Sequence, residues 1–170
     1  AGKYSTTVGA TSRSDTCLAC PANSIAPQGS NELTDCICNA GFTGNDGGTC
    51  AACVAGKYKI DTGSDACVDC GSGKYSTTVG ATSDVCQACP ANSIAPQGSN
   101  ELTDCICDAG YTGSDGGTCT ACAAGTYKID TGSDACTQCG SGKYLTTVGA
   151  TSDVCQACPA NSIAPQGSNE

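Results

Sequence analysis

The placement of the cysteines constrains this chain more than any other feature. Cys17, Cys20, Cys36, Cys38, Cys50, Cys53, Cys67 and Cys70 recur 69 residues later as Cys86, Cys89, Cys105, Cys107, Cys119, Cys122, Cys136 and Cys139, and Cys155 and Cys158 open a third copy. A fixed period of this size is the signature of a modular array. Residues 17–70 and 86–139 are identical at 45 of 54 positions, 86–101 matches 155–170 without a change, and the one shift in register is the extra Arg13 and Ser14 of the first copy.

Each period divides into short modules that end in a cysteine pair. In the complete copy, 71–139, they are 71–89, 90–107, 108–122 and 123–139; three close with Cys-x-x-Cys and one with Cys-Ile-Cys. The rest of the chain then reads as a partial module 1–20, modules 21–38, 39–53 and 54–70, and a partial third repeat 140–170. Three modules of the complete copy open on a Gly followed at once or one residue later by an aromatic: Gly73-Lys74-Tyr75, Gly110-Tyr111 and Gly125-Thr126-Tyr127. Nearly one ring per module is enough to cover one disulfide and too little for a shared core. Lys57-Tyr58-Lys59-Ile60 and Tyr75-Ser76-Thr77-Thr78-Val79 have the β-branched and aromatic content of short strands, each soon broken by turn chemistry. No window sustains a 3.6-residue apolar period. The expected fold is a small disulfide-rich repeat protein, an elongated rod of stacked modules with short β-ribbons and almost no helix.

Composition agrees that burial alone cannot hold such a chain. Val, Ile, Leu and Phe number 19 in 170 residues, against 18 Cys and 23 Gly. That is far below what offsets chain entropy by packing, and this cysteine density marks a disulfide scaffold in an oxidising compartment. Metal binding and redox catalysis are the competing uses of Cys-x-x-Cys. Redox chemistry needs one special pair, whereas here every module has one; four-thiolate zinc sites normally sit among basic residues, of which there are seven.

Two cysteines separated by two residues rarely bond each other, so each member of a pair should reach a different module. The simplest pattern is serial: Cys20 with Cys36, Cys38 with Cys50, Cys53 with Cys67, Cys70 with Cys86, Cys89 with Cys105, Cys107 with Cys119, Cys122 with Cys136 and Cys139 with Cys155. Each such loop is worth on the order of 3 kcal/mol in the loop-entropy treatment. Cys17 and Cys158 are left over. Alignment places their partners outside this window, so the chain reads as a stretch of a longer array; the alternative is free thiols or bridges between chains.

Absences narrow the function. Sixteen acidic against seven basic residues give a net charge of −9, which disfavours nucleic acid and anionic membrane surfaces as partners. There is no His, hence no imidazole base, Ser-His-Asp triad or mixed Cys/His zinc site, and no enzyme is expected. No apolar run approaches the ~20 residues of a membrane span, and no signal-peptide pattern or initiating Met is present, so a secreted form would be mature or partial.

The run Cys86-Gln87-Ala88-Cys89-Pro90-Ala91-Asn92-Ser93, followed by Gly98, Cys105-Ile106-Cys107 and Gly110-Tyr111, resembles the ephrin-receptor-like cysteine-rich repeat, a relative of epidermal-growth-factor-like and tumour-necrosis-factor-receptor modules. The segment from Cys107 through Tyr111 and Gly113 to Cys119 also resembles the C-terminal half of a growth-factor-like module, which implies Cys107 with Cys119 and Cys38 with Cys50. The resemblance spans essentially the whole chain and implies an extracellular location. It is weak for function, because such repeats occur in receptors, matrix proteins and protist and algal surface or flagellar-hair proteins.

A growth-factor-type calcium signature is not evident. Asp46-Gly47-Gly48, Asp115-Gly116-Gly117 and the pair Asp61 and Asp65 could offer oxygen ligands to calcium, but Asp-Gly is first of all turn chemistry. No cofactor is expected. Asn23-Ser24-Ile25 and its copies fail as N-glycosylation sequons; Thr6-Thr7, Thr77-Thr78 and Thr146-Thr147 are either O-glycan acceptors or a hydrophilic strand face. The leading functional expectation is a structural component of an extracellular filament or surface coat, such as a flagellar hair or sheath, that self-associates through near-identical repeats. A ligand-binding or adhesive receptor stalk is the alternative, although no module carries an aromatic or Arg cluster of the hot-spot kind.

Overall fold

A computed structural model describes residues 2–7 and 17–170. Contacts group these into two compact units, one within Ala1–Gly71, Ser76–Cys86 and Gly98–Asn100, the other Ser72–Tyr75, Gln87–Gln97 and Glu101–Glu170.

The first unit contains four two-stranded antiparallel ribbons: Lys3–Tyr4 with Leu18–Ala19, Ser24–Ile25 with Ile37–Cys38, Phe42–Thr43 with Ala51–Ala52, and Lys57–Tyr58 with Val68–Asp69. The second contains five: Lys74–Tyr75 with Gln87–Ala88, Ser93–Ile94 with Ile106–Cys107, Tyr111–Thr112 with Thr120–Ala121, Thr126–Tyr127 with Thr137–Gln138, and Lys143–Tyr144 with Gln156–Ala157. Helix among the described residues is limited to two 3-10 turns, Leu33–Asp35 and Leu102–Asp104. The protein is therefore a disulfide-rich chain of small stacked modules with β-ribbons and almost no helix.

One local rule builds each ribbon. The residue before the first strand must take a left-handed backbone, and glycine does so without a Cβ penalty: Gly56 sits at φ 82°. Its carbonyl then accepts the Cys70 amide at 2.8 Å, which closes the ribbon at the second cysteine of the pair. Modules that open on Pro-Ala-Asn-Ser lack this glycine, and the asparagine replaces it: Asn23, Asn92 and Asn161 are the positive-φ non-glycine residues among the described ones, at φ 61°, 61° and 66°. Asn92 O accepts the Asp108 amide at 2.9 Å, as Gly56 O does for Cys70.

The outer edge of a ribbon is taken by the following module. Gly56 N–H donates to Ser76 O at 2.7 Å and Lys59 N–H to Ala81 O at 3.0 Å, so that Tyr58 and Ala81 form a parallel bridge. The second copy repeats this with Gly125 to Leu145 O, Lys128 to Ala150 O, and a Tyr127 and Ala150 bridge. The strand read at 75–79 is accordingly shorter than its composition suggests. It ends at Tyr75, because the Ser76 amide turns to Ser99 O and Ser76 Oγ accepts the Thr78 amide. Ladder pairing gives way to docking of the next module.

Among the described residues no apolar core of ordinary size forms. The largest fully buried side chains are Cys36, Cys38, Cys53, Cys70, Cys105, Cys107, Cys122, Cys139 and Ser76. Among the described residues the one aliphatic cluster sits where Leu145 replaces that serine: Leu145 packs with Cys139 and Ala150, and Tyr127 and Cys155 lean against them. Here a ring from one module covers the disulfide of the next.

Candidate functional site

Eight disulfides run along the chain: Cys20–Cys36, Cys38–Cys50, Cys53–Cys67, Cys70–Cys86, Cys89–Cys105, Cys107–Cys119, Cys122–Cys136 and Cys139–Cys155. Their Cα atoms lie 5.5 to 5.8 Å apart, in the ordinary range. Cys17 and Cys158 are free thiols of intermediate exposure.

Each disulfide also anchors the neighbouring module through its backbone. Gly63 N–H donates to Cys38 O, Gly80 to Cys53 O, Gly98 to Cys70 O, Gly132 to Cys107 O, Gly149 to Cys122 O and Gly167 to Cys139 O, at 2.7 to 2.9 Å. In each case a mid-loop glycine reaches the opening half-cystine of the preceding module. Gly47 and Gly116 differ: they bond Cys36 O and Cys105 O, the closing half-cystines before them. A second contact skips one module. A Cβ on Gly41 would lie 2.4 Å from Gly80 O, and one on Gly56 2.1 Å from Gly98 O; Gly110 and Gly125 stand in the same relation to Gly149 O and Gly167 O.

The most specific polar feature is a buried lysine. Lys59 is 4% exposed, and its Nζ donates to Phe42 O at 2.8 Å and to Gly63 O. Lys128 repeats this with Tyr111 O and Gly132 O. The ammonium thus ties the 38–50 loop to the 53–67 loop, and Thr43 Oγ1 donates across the same junction to Asp65 O at 3.0 Å. The sequence pattern puts Lys59 in a short strand and does not set it apart from other lysines. The signal available was the retention of Lys59 as Lys128 while the neighbouring Lys57 becomes Thr126.

The carboxylates weighed for calcium fall in two settings. Asp46 and Asp115 are exposed in turns closed by Gly48 N–H to Asn45 O and Gly117 N–H to Ser114 O. Asp61 and Asp65 are exposed on the rim of a shallow hollow with Tyr58, Ile60 and Val68, repeated by Asp130, Asp134, Tyr127, Ile129 and Thr137. Among the described residues no three His, Cys, Asp or Glu side chains group as a metal site. Thr6, Thr7, Thr77, Thr78, Thr146 and Thr147 are all exposed.

Tandem disulfides, glycine-opened ribbons and edge docking of each module on the last define a cysteine-rich repeat domain. A family model described as tyrosine-protein kinase ephrin type A/B receptor-like matches residues 41–85 and again 110–154, each span starting at the glycine that meets Gly80 or Gly149. The chain belongs to this ephrin-receptor-like family. No curated protein matches it. Family and disulfides together make it an extracellular domain. No helix among the described residues is long and apolar enough to cross a membrane.

Proposed function

We propose that the chain is a structural component of an extracellular filament or surface coat, built from tandem stapled repeats that self-associate, and that it performs no catalysis. The observation that carries this reading is the recurrence of exposed apolar residues at the repeat period. Leu33 and Leu102 are 43% and 41% exposed, Ile60 and Ile129 58% and 57%, and Val79 and Val148 64% and 63%. A binding ectodomain distinguishes one module from its neighbours, whereas an ordered assembly needs the same contact surface at regular intervals.

Electron microscopy of native material tests the proposal. Filaments or sheets with a regular repeat support it, and dispersed particles at every concentration overturn it. Replacing Ile60 and Ile129 by Asp should shift sedimentation toward the monomer while leaving the disulfides and amide protection intact.

A further inference from the structure

The order of the disulfides gives the chain a second property that needs no assembly. Because each bridge closes its own loop before the next opens, tension applied at the two ends passes across the disulfide and bypasses the loop. Only the residues between consecutive bridges are loaded, such as Ile37, Ala51-Ala52 and Val68-Asp69. These linkers are already extended: Leu18–Ala19, Ile37–Cys38, Ala51–Ala52, Val68–Asp69 and their counterparts through Gln156–Ala157 are the second strands of the nine ribbons among the described residues. Apart from Lys3–Tyr4, which precedes the first bridge, the strands they pair with, Lys57–Tyr58 for example, lie inside the shielded loops. Slack in the loaded path is correspondingly small.

We infer that the protein's further function is to carry tension as a nearly inextensible covalent strand. Between Cys17 and Cys158 the path through linkers and bridges reaches at most roughly 135 Å, against roughly 510 Å for the same residues without disulfides, at 3.6 Å per residue. The thiols of Cys17 and Cys158 flank these eight bridges and serve as handles for pulling on them.

Force-clamp extension of the chain held through maleimide handles on Cys17 and Cys158 tests this. Without reductant the span should stop near ~135 Å at any force below covalent rupture. On addition of a small thiol, its thiolate attacks one Sγ, forms a mixed disulfide and expels the other Sγ as thiolate. Each event should lengthen the chain by one loop: two steps of roughly 38 Å, two of roughly 45 Å and four of roughly 52 Å, from sequence separations of 12, 14 and 16. Replacing Cys38 and Cys50 together by Ser should raise the non-reducing limit by ~38 Å and delete one short step, whether or not that module stays folded. Extension well past the limit without reductant, or steps outside these three sizes, overturns the inference. Failure to assemble into filaments would leave it standing.

Discussion

The Lys59 ammonium is bound to the carbonyl of Phe42, 17 residues earlier in the chain and in a different disulfide loop, at 2.8 Å. A second bond to Gly63 O lies within its own loop. A buried ammonium is tolerated where carbonyl dipoles converge on it, and withdrawal of one partner leaves the other polar groups unsatisfied.

Lys59→Met should therefore lower stability by about 2 kcal/mol, through two charge-assisted bonds lost and two carbonyls left without them. Lys57→Met removes a half-exposed ion pair to Asp69 at 2.7 Å and should cost at most about 1 kcal/mol. The second repeat replaces that pair by Thr126 and Gln138 in the same register. Denaturant unfolding of the oxidised proteins compares the two, and amide exchange at Gly41 and Gly63 locates the loss.

Gly56→Ala and Gly73→Ala form a matched pair. Both glycines have positive φ, 82° and 76°, but the new Cβ would meet Gly98 O at 2.1 Å in the first and nothing within 4 Å in the second. Gly73→Ala should cost about 1 kcal/mol, from backbone conformation alone. Gly56→Ala should cost several times that or detach the 89–105 loop, visible as lost protection at Gly98.

Ser76→Leu should stabilise the first unit. Ser76 is 2% exposed at the position where the next repeat buries Leu145 at 3%, so the site accommodates the larger side chain with a similar backbone. Burial of a leucine side chain contributes about 2 kcal/mol, reduced by loss of the Thr78 amide bond to Ser76 Oγ. A higher midpoint in thermal unfolding is the expected result, and a lower one would mean the site is overpacked.

Thiol titration of the denatured, unreduced chain should find two reactive groups, Cys17 and Cys158. A zinc-held chain would release all 18 on addition of a chelator. Chelation should leave the amide protection of the oxidised protein unchanged, and reduction should abolish it.

The class of fold was legible because it rests on local pattern: cysteine pairs at short intervals, a glycine before the opening strand of most modules, and too few aliphatic residues for any other architecture. Three features escaped that pattern for different physical reasons. Lysine ordinarily reads as a solvated residue, and Lys59 is buried only because carbonyls from two separate segments meet at its Nζ. Asn92 supplies the left-handed turn that a search for Gly-aromatic pairs cannot find, although Pro-Ala-Asn-Ser stands at the same distance from its cysteines. The contacts of Gly41 with Gly80 and of Gly56 with Gly98 skip a whole module, and nothing in a local window records a neighbour two modules away.

No bridge in the chain spans more than 16 residues. Contact order is the main determinant of folding speed, and every covalent contact here is of short range. A chain entering an oxidising compartment from its N-terminus presents each half-cystine with its partner after at most 16 further residues, about 1–3 s of synthesis. Among the very many pairings open to 18 thiols, the native one closes the shortest loop between each cysteine pair and the next. Repeats can be gained or lost in whole numbers without altering those loops.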